Sequence, residues 1–194
     1  MAENFYGSSL FRQWSSDGAV DREASESGET STVLDGQDVS EPRVDALNIT
    51  WAAARHVPEI AEIETICFSC PYSEKDFYKW LANPGRGGLI VENEDGEILG
   101  YIFYRLFSTN YEITTIAVLP EHRNRGVGRM LINDLRKKLK PDARKGISLK
   151  VDERNLGCQL FLKKLGFIWS ETLKSEDEEY DKYLFTYQTH FENF

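Results

Sequence analysis

Apolar and polar positions divide the chain into two regimes. Before about residue 47 no apolar period persists, whereas beyond it short β-branched runs alternate with segments of helical spacing. Ala46 to Arg55 reads as a strand. Val57 to Phe68 reads as a helix, with Ile60, Ile63 and Ile66 spaced along it. A second helix follows Pro71-Tyr72-Ser73, where Ser73 and Asp76 have the separation of a capping pair. Pro84-Gly85 breaks the chain. Gly88 to Val91 and Ile98 to Phe107 then read as a hairpin around the turn Asn93-Glu94-Asp95-Gly96. Tyr111 to Leu119 is a further strand, closed by Pro120. Gly126 to Lys140 predicts a helix with Val127, Leu131, Leu135 and Leu139 as its apolar stripe. Gly146 to Asp152 is a strand. Asn155 then caps a helix whose expected apolar face is Leu156, Leu160, Phe161 and Leu165, stopped by Gly166. Phe167 to Leu173 and Lys182 to Tyr187 close the pattern around the acidic loop Ser175 to Asp181. The order is βααβββαβαββ, an α/β domain over residues 47–194 with no internal repeat.

Charge sharpens the division. Residues 1–46 carry ten acids against three bases, while residues 47–194 carry twenty-two against twenty, so the net charge of −9 belongs mostly to the first segment. That segment is rich in Ser, Gly, Asp and Glu and cannot bury enough surface to offset its ordering entropy, so it reads as a disordered acidic tail. The folded part is nearly neutral, so the overall charge gives no argument for a basic substrate, and without aromatic interleaving no nucleic-acid partner is expected. The basic run Arg136-Lys137-Lys138-Leu139-Lys140 reads as the outer face of a helix. The start MAENFYGSSLFRQW lacks the features of a secretory signal, and no apolar run reaches membrane-spanning length. Three cysteines form no disulfide framework, so a reducing cytoplasm is the expected setting. Cys67 and Cys70 match C-x-x-C without a second pair, and His56, His122 and His190 are scattered, so no metal site is expected.

The chemistry concentrates at Arg123-Asn124-Arg125-Gly126-Val127-Gly128, between a strand and a helix. Glycines there let the backbone turn sharply and approach a ligand, and the helix start offers free N–H groups to an anion such as a diphosphate. A Walker loop would need Gly-Lys-Ser/Thr, which is absent, and a dinucleotide fingerprint would need glycine where Leu131 stands. The pattern that remains is R/Q-x-x-G-x-G/A.

The segment IAVLPEHRNRGVGRML resembles the coenzyme A-binding motif of the GNAT N-acetyltransferase superfamily. NLGCQLFLKKLGF resembles its second motif, and CFSCPYSEKDFYKWL resembles the start of RimI-type ribosomal-protein N-terminal (alanine) acetyltransferases. The resemblance covers roughly residues 47–190 and implies a GNAT fold, a mixed central β-sheet flanked by helices. It implies acetyl-CoA as co-substrate and no metal. Backbone groups of Ile116, Ala117 and Val118 would pair with the pantetheine arm. The amides from Asn124 through Val127 and Gly128 to Arg129 would hold the pyrophosphate, with Arg123, Arg125 and Arg129 adding charge and Asn155 near the thioester. Glu112 stands where the histone acetyltransferase branch places its general base. The sequence departs from the RimI-type pattern at Leu162, where a tyrosine acid is usual, and at Lys150, where a glutamate base is proposed. Tyr180 or Tyr183 from the closing segment would have to substitute as acid, so the site is either rearranged or inactive.

The reaction implied is direct attack of an amine on the thioester. An α-amine of pKa near 8 is about a tenth neutral at pH 7, whereas lysine near 10.4 is under about a thousandth neutral, so weak acid–base machinery favours a protein N-terminus as acceptor. A small amine or polyamine, and a non-catalytic acyl-CoA-binding regulator, are the alternatives.

Overall fold

The computed structural model describes residues 47–174 and 180–189. The acidic tail, most of the acidic loop and His190 lie outside the described residues. Strand pairing follows the predicted turns. Gly96 takes a left-handed φ of +82° at the tip of the hairpin joining β2 (Arg86–Glu92) to β3 (Ile98–Leu106). β3 pairs in turn with β4 (Asn110–Val118), and β1 (Asn48–Trp51) adds to the outer edge of β2, all antiparallel. β5 (Gly146–Asp152) joins β4 in parallel, and β7 (Lys182–Gln188) lies between β5 and the edge strand β6 (Ile168–Leu173). The sheet order is therefore β1-β2-β3-β4-β5-β7-β6.

Among the described residues four helices cover the two faces, as a sheet with two apolar faces requires. α1 (Val57–Cys67) and α2 (Glu74–Leu81) pack on one face, over Ile90, Tyr101, Phe103 and Ala117. α3 (Val127–Lys137) and α4 (Leu156–Lys164) pack on the other, over Leu89, Ile102, Ile113 and Leu149. Ser73 caps α2 as expected: its Oγ accepts the Asp76 amide at 3.4 Å and donates to the Asp76 carboxylate at 2.6 Å.

Several boundaries and faces differ from the sequence expectation. β1 stops at Trp51, and Ala54–His56 form a 3-10 turn leading into α1. α3 ends at Lys137, short of Lys140. Ile66 is exposed on α1, and Leu156 and Leu160 are exposed on α4, which instead buries Cys158 and Leu162. Both helices carry apolar residues around most of their circumference, so spacing could not choose the inward side; contact with the sheet does.

Candidate active site

The decisive geometry is a divergence of strands. β4 and β5 pair only from Asn110↔Gly146 to Ile113↔Leu149, although β4 continues to Val118 and β5 to Asp152. A register shift against β3 falls at Thr114, between the pairs Phe103↔Thr115 and Tyr104↔Ile113. The bulge twists β4 locally where it leaves its parallel neighbour. The Thr114 hydroxyl is buried there without a partner among the described residues. A gap thus opens along Ile116, Ala117 and Val118, where β5 no longer pairs with β4. The Val118 carbonyl already accepts from Arg123 Nε at 3.1 Å and from the Cys67 thiol at 3.5 Å.

The gap runs into the glycine loop. Asn124 has φ +60° and Gly126 φ +91°, so left-handed residues alternate with Arg125 ahead of the helix. Such an alternation turns successive N–H groups inward as an anion nest. Among the described residues no side chain caps α3, leaving the amides of Val127, Gly128 and Arg129 without intrahelical acceptors. A Cβ on Gly128 would meet the Phe161 ring at 3.1 Å, so glycine lets the start of α3 sit against α4. Arg125 and Arg129 are exposed and form no ion pair among the described residues. Arg123 instead turns back, with its second nitrogen 3.6 Å from Cys67 Sγ. Asn155 is committed to its helix, its Oδ1 accepting the Cys158 amide at 3.0 Å.

Glu112 is half-buried in the last paired stretch of β4, opposite Arg105 on β3 and Ser148 on β5. Its neighbours Tyr111 and Ile113 face α3 and α4, so strand alternation turns Glu112 to the α1–α2 side. Tyr183, paired with Val151, is half-buried against the α3–α4 cluster. The two residues therefore flank the sheet from opposite faces. Tyr180 lies under the Arg154 guanidinium, 3.4 Å from its ring centroid, and that guanidinium also grips Asp152 through two bonds of 3.0 and 3.1 Å. Burial tends to raise the Asp152 carboxyl, and the bonds from Arg154 outweigh it, so the group is held below the usual range. Leu162 is fully buried in the α3–α4 cluster, and Lys150 is exposed on β5.

One functional neighbour escaped the sequence reading. Glu64 of α1 is fully buried, accepting the Tyr101 hydroxyl, the Tyr72 amide at 3.1 Å and the Thr115 hydroxyl at 3.5 Å. A carboxylate is sustained away from water only by such donors. This one ties α1, the α1–α2 loop, β3 and β4 together beside the gap. Nothing in its spacing separates it from Glu59, which is half-buried, or Glu62, which is exposed, on the same helix. Cys67 and Cys158 are buried and serve packing; desolvation pushes the Cys158 thiol up to about 12. His56 is also structural: its Nδ1 accepts the Ala53 amide at 3.1 Å, and burial, then Arg55, lowers its basicity. Among the described residues no group of His, Cys, Asp and Glu is arranged to hold a metal ion, and no helix is long and apolar enough to cross a membrane.

A strand gap leading to an uncapped, left-handed glycine loop fits an elongated ligand ending in a diphosphate, and the acetyltransferase (GNAT) family model matches residues 57–167. The chain belongs to the GNAT family. This GNAT enzyme is an acetyl-CoA-dependent N-acetyltransferase. It is 31% identical over 123 residues to a Bacillus subtilis chain provisionally named a ribosomal protein bS18-alanine N-acetyltransferase, spanning 60% of this chain and 81% of that one. Its fold is similar to the Escherichia coli ribosomal-protein-S18-alanine N-acetyltransferase, with a TM-score of 0.66, 19% identity, and coverage of 77% of this chain and 99% of that one. It is also similar to Arabidopsis thaliana NAA60 crystallised with acetyl-CoA, with a TM-score of 0.65, 16% identity, and coverage of 74% and 98%.

Proposed function

We propose that this GNAT enzyme acetylates the N-terminal α-amine of a protein, with Glu112 as general base. The observation that carries the reading is the place of Glu112, one residue before the point where β4 and β5 part and on the face of α1 and α2. Acetyl-CoA, when bound, supplies the acetyl group as a thioester. The amides of Val127, Gly128 and Arg129, with Arg125 and Arg129 beside them, would hold its diphosphate. The backbone of Ile116 to Val118, beyond the end of the β5 pairing, would hold its pantetheine arm. Glu112 would take the proton of the acceptor ammonium, directly or through one water. General-base help of this kind is typically worth roughly 10² to 10⁴ in rate. The Tyr183 phenol supplies a proton donor on the opposite face of the sheet.

An α-amine suits this machinery better than lysine, because about a tenth of it is already neutral at pH 7. The Bacillus subtilis relative, whose name specifies N-acetylation of an alanine of ribosomal protein bS18, supports a protein acceptor of this kind. The loss of a tyrosine at Leu162, which is buried as a core residue, favours a second reading: an acyl-CoA-binding regulator without turnover. Coenzyme A release from acetyl-CoA, measured with N-terminal peptides, lysine peptides and polyamines, separates them. Release with N-terminal peptides alone is expected. Release only with lysine peptides or polyamines would reject the acceptor, and cofactor binding without release would favour the regulator.

A further inference from the structure

A transverse row of side chains crosses the α1–α2 face at the level of Glu112. Strand register places Arg86 of β2 opposite Arg105 of β3, and Arg105 opposite Glu112 of β4. Both guanidiniums lie against the Trp80 ring, at 4.5 Å for Arg86 and 5.7 Å for Arg105. Trp80 is itself fixed, edge-on to Phe103 and donating through Nε1 to the Gly87 carbonyl at 3.4 Å. Two cations directly opposite on neighbouring strands repel one another. Here they are also half-buried, and neither forms an ion pair among the described residues. Arg105 Nε is buried and has no hydrogen-bond acceptor among the described residues. Burial, followed by the charge of Arg105, lowers the Arg86 guanidinium.

Glu112 opposite Arg105 is one carboxylate beside two guanidiniums, and with no ion pair to either arginine among the described residues the pair can take a further anion. Their planar forks match a carboxylate. Adjacent strands lie about 4.8 Å apart, so the arginines stand roughly one and two strand spacings from Glu112. An extended chain advances about 3.5 Å per residue, which brings the second or third residue of a peptide to them when its amine is at Glu112.

We propose that Arg86 and Arg105, set on Trp80, form an anion subsite that selects acceptors carrying an acidic side chain at the second or third residue. The proposal rests on Glu112 marking the acceptor side of the reaction. It goes beyond the N-terminal amine to the character of the residues that follow.

The test uses the full chain and matched peptides that differ only in Asp against Asn, or Glu against Gln, at those positions. Affinity for the coenzyme A-loaded protein is measured by calorimetry, and kcat/KM is measured separately with acetyl-CoA. The acidic member of each pair is expected to bind about tenfold tighter or more at low salt, with the advantage shrinking as ionic strength rises. In the protein carrying Arg86→Gln and Arg105→Gln the acid-to-amide ratio should fall to about one. Equal binding of the pairs by the unaltered protein, a preference for the amides, or no binding of either would overturn the subsite, and none of these comparisons depends on how the variant folds. Preferential binding of the acidic peptides with no turnover would keep the subsite and reject N-terminal acetylation instead.

Discussion

Glu112 is one carboxylate among many, and only its neighbours distinguish it. It sits between buried Tyr111 and Ile113, at the end of the β4–β5 pairing. Glu112→Gln preserves size and strand pairing while removing the proton acceptor. Turnover should fall about a hundredfold or more, with acetyl-CoA affinity by calorimetry unchanged; full turnover would remove Glu112 as the base. Gly126 makes a different demand. Among the described residues nothing lies within 4 Å of a Cβ built on it, so crowding is not the constraint; its φ of +91° is. A left-handed conformation costs an L-residue roughly 1–2 kcal/mol, and a β-branched side chain is the least tolerant. Gly126→Val should therefore move the loop and weaken coenzyme A binding at least about tenfold, with the circular dichroism spectrum retained. Undiminished affinity would refute the loop as the diphosphate site. Both residues were legible as candidates from the motif and its offset. Glu64, Arg86 and Arg105 were not, because the property that marks them is burial beside partners far away in sequence.

At the scale of elements, α2 is held by its first turn. The Asp76 carboxylate accepts the Ser73 hydroxyl and amide, while the Asp76 amide donates to Ser73 Oγ. The Ser73 hydroxyl keeps the Asp76 carboxyl below its ordinary value, against a smaller opposing effect of burial. A carboxyl with a lowered folded value contributes stability above its unfolded pKa of about 3.9, and that stability disappears as pH falls through the folded value. Ser73→Ala should cost about 1 kcal/mol at pH 7, read as a lower urea midpoint, and the gap from the unaltered protein should narrow below about pH 4. A gap independent of pH would mean that the carboxylate plays no part in the cap. The Ser73–Asp76 spacing announced this cap because both partners belong to one turn. The inward faces of α1 and α4 were harder to read: which stripe is buried depends on a sheet assembled from distant strands, and that sheet left Ile66, Leu156 and Leu160 in solvent.

The whole molecule carries the site as a defect in its sheet. The gap between β4 and β5 forgoes pairing that the two strands are long enough to make, so a ligand that completes the edge should stabilise the folded state by mass action. At about a hundred times its Kd, coenzyme A should add roughly 2.7 kcal/mol, seen as a melting temperature that climbs with the logarithm of its concentration. An unchanged melting temperature across that range would contradict the gap as the cofactor site. The order of elements, the hairpin turn, the caps of α2 and α4 and the glycine loop are properties of neighbouring residues, and the sequence by itself determined them. The parting of β4 from β5, the placement of Glu112 and Tyr183 on opposite faces, and the meeting of Arg86 with Arg105 over Trp80 were decided by the tertiary structure alone. Local propensity acts within a turn or a strand, whereas register and twist act across the sheet. The chemistry of this protein is built from residues that only the sheet brings side by side.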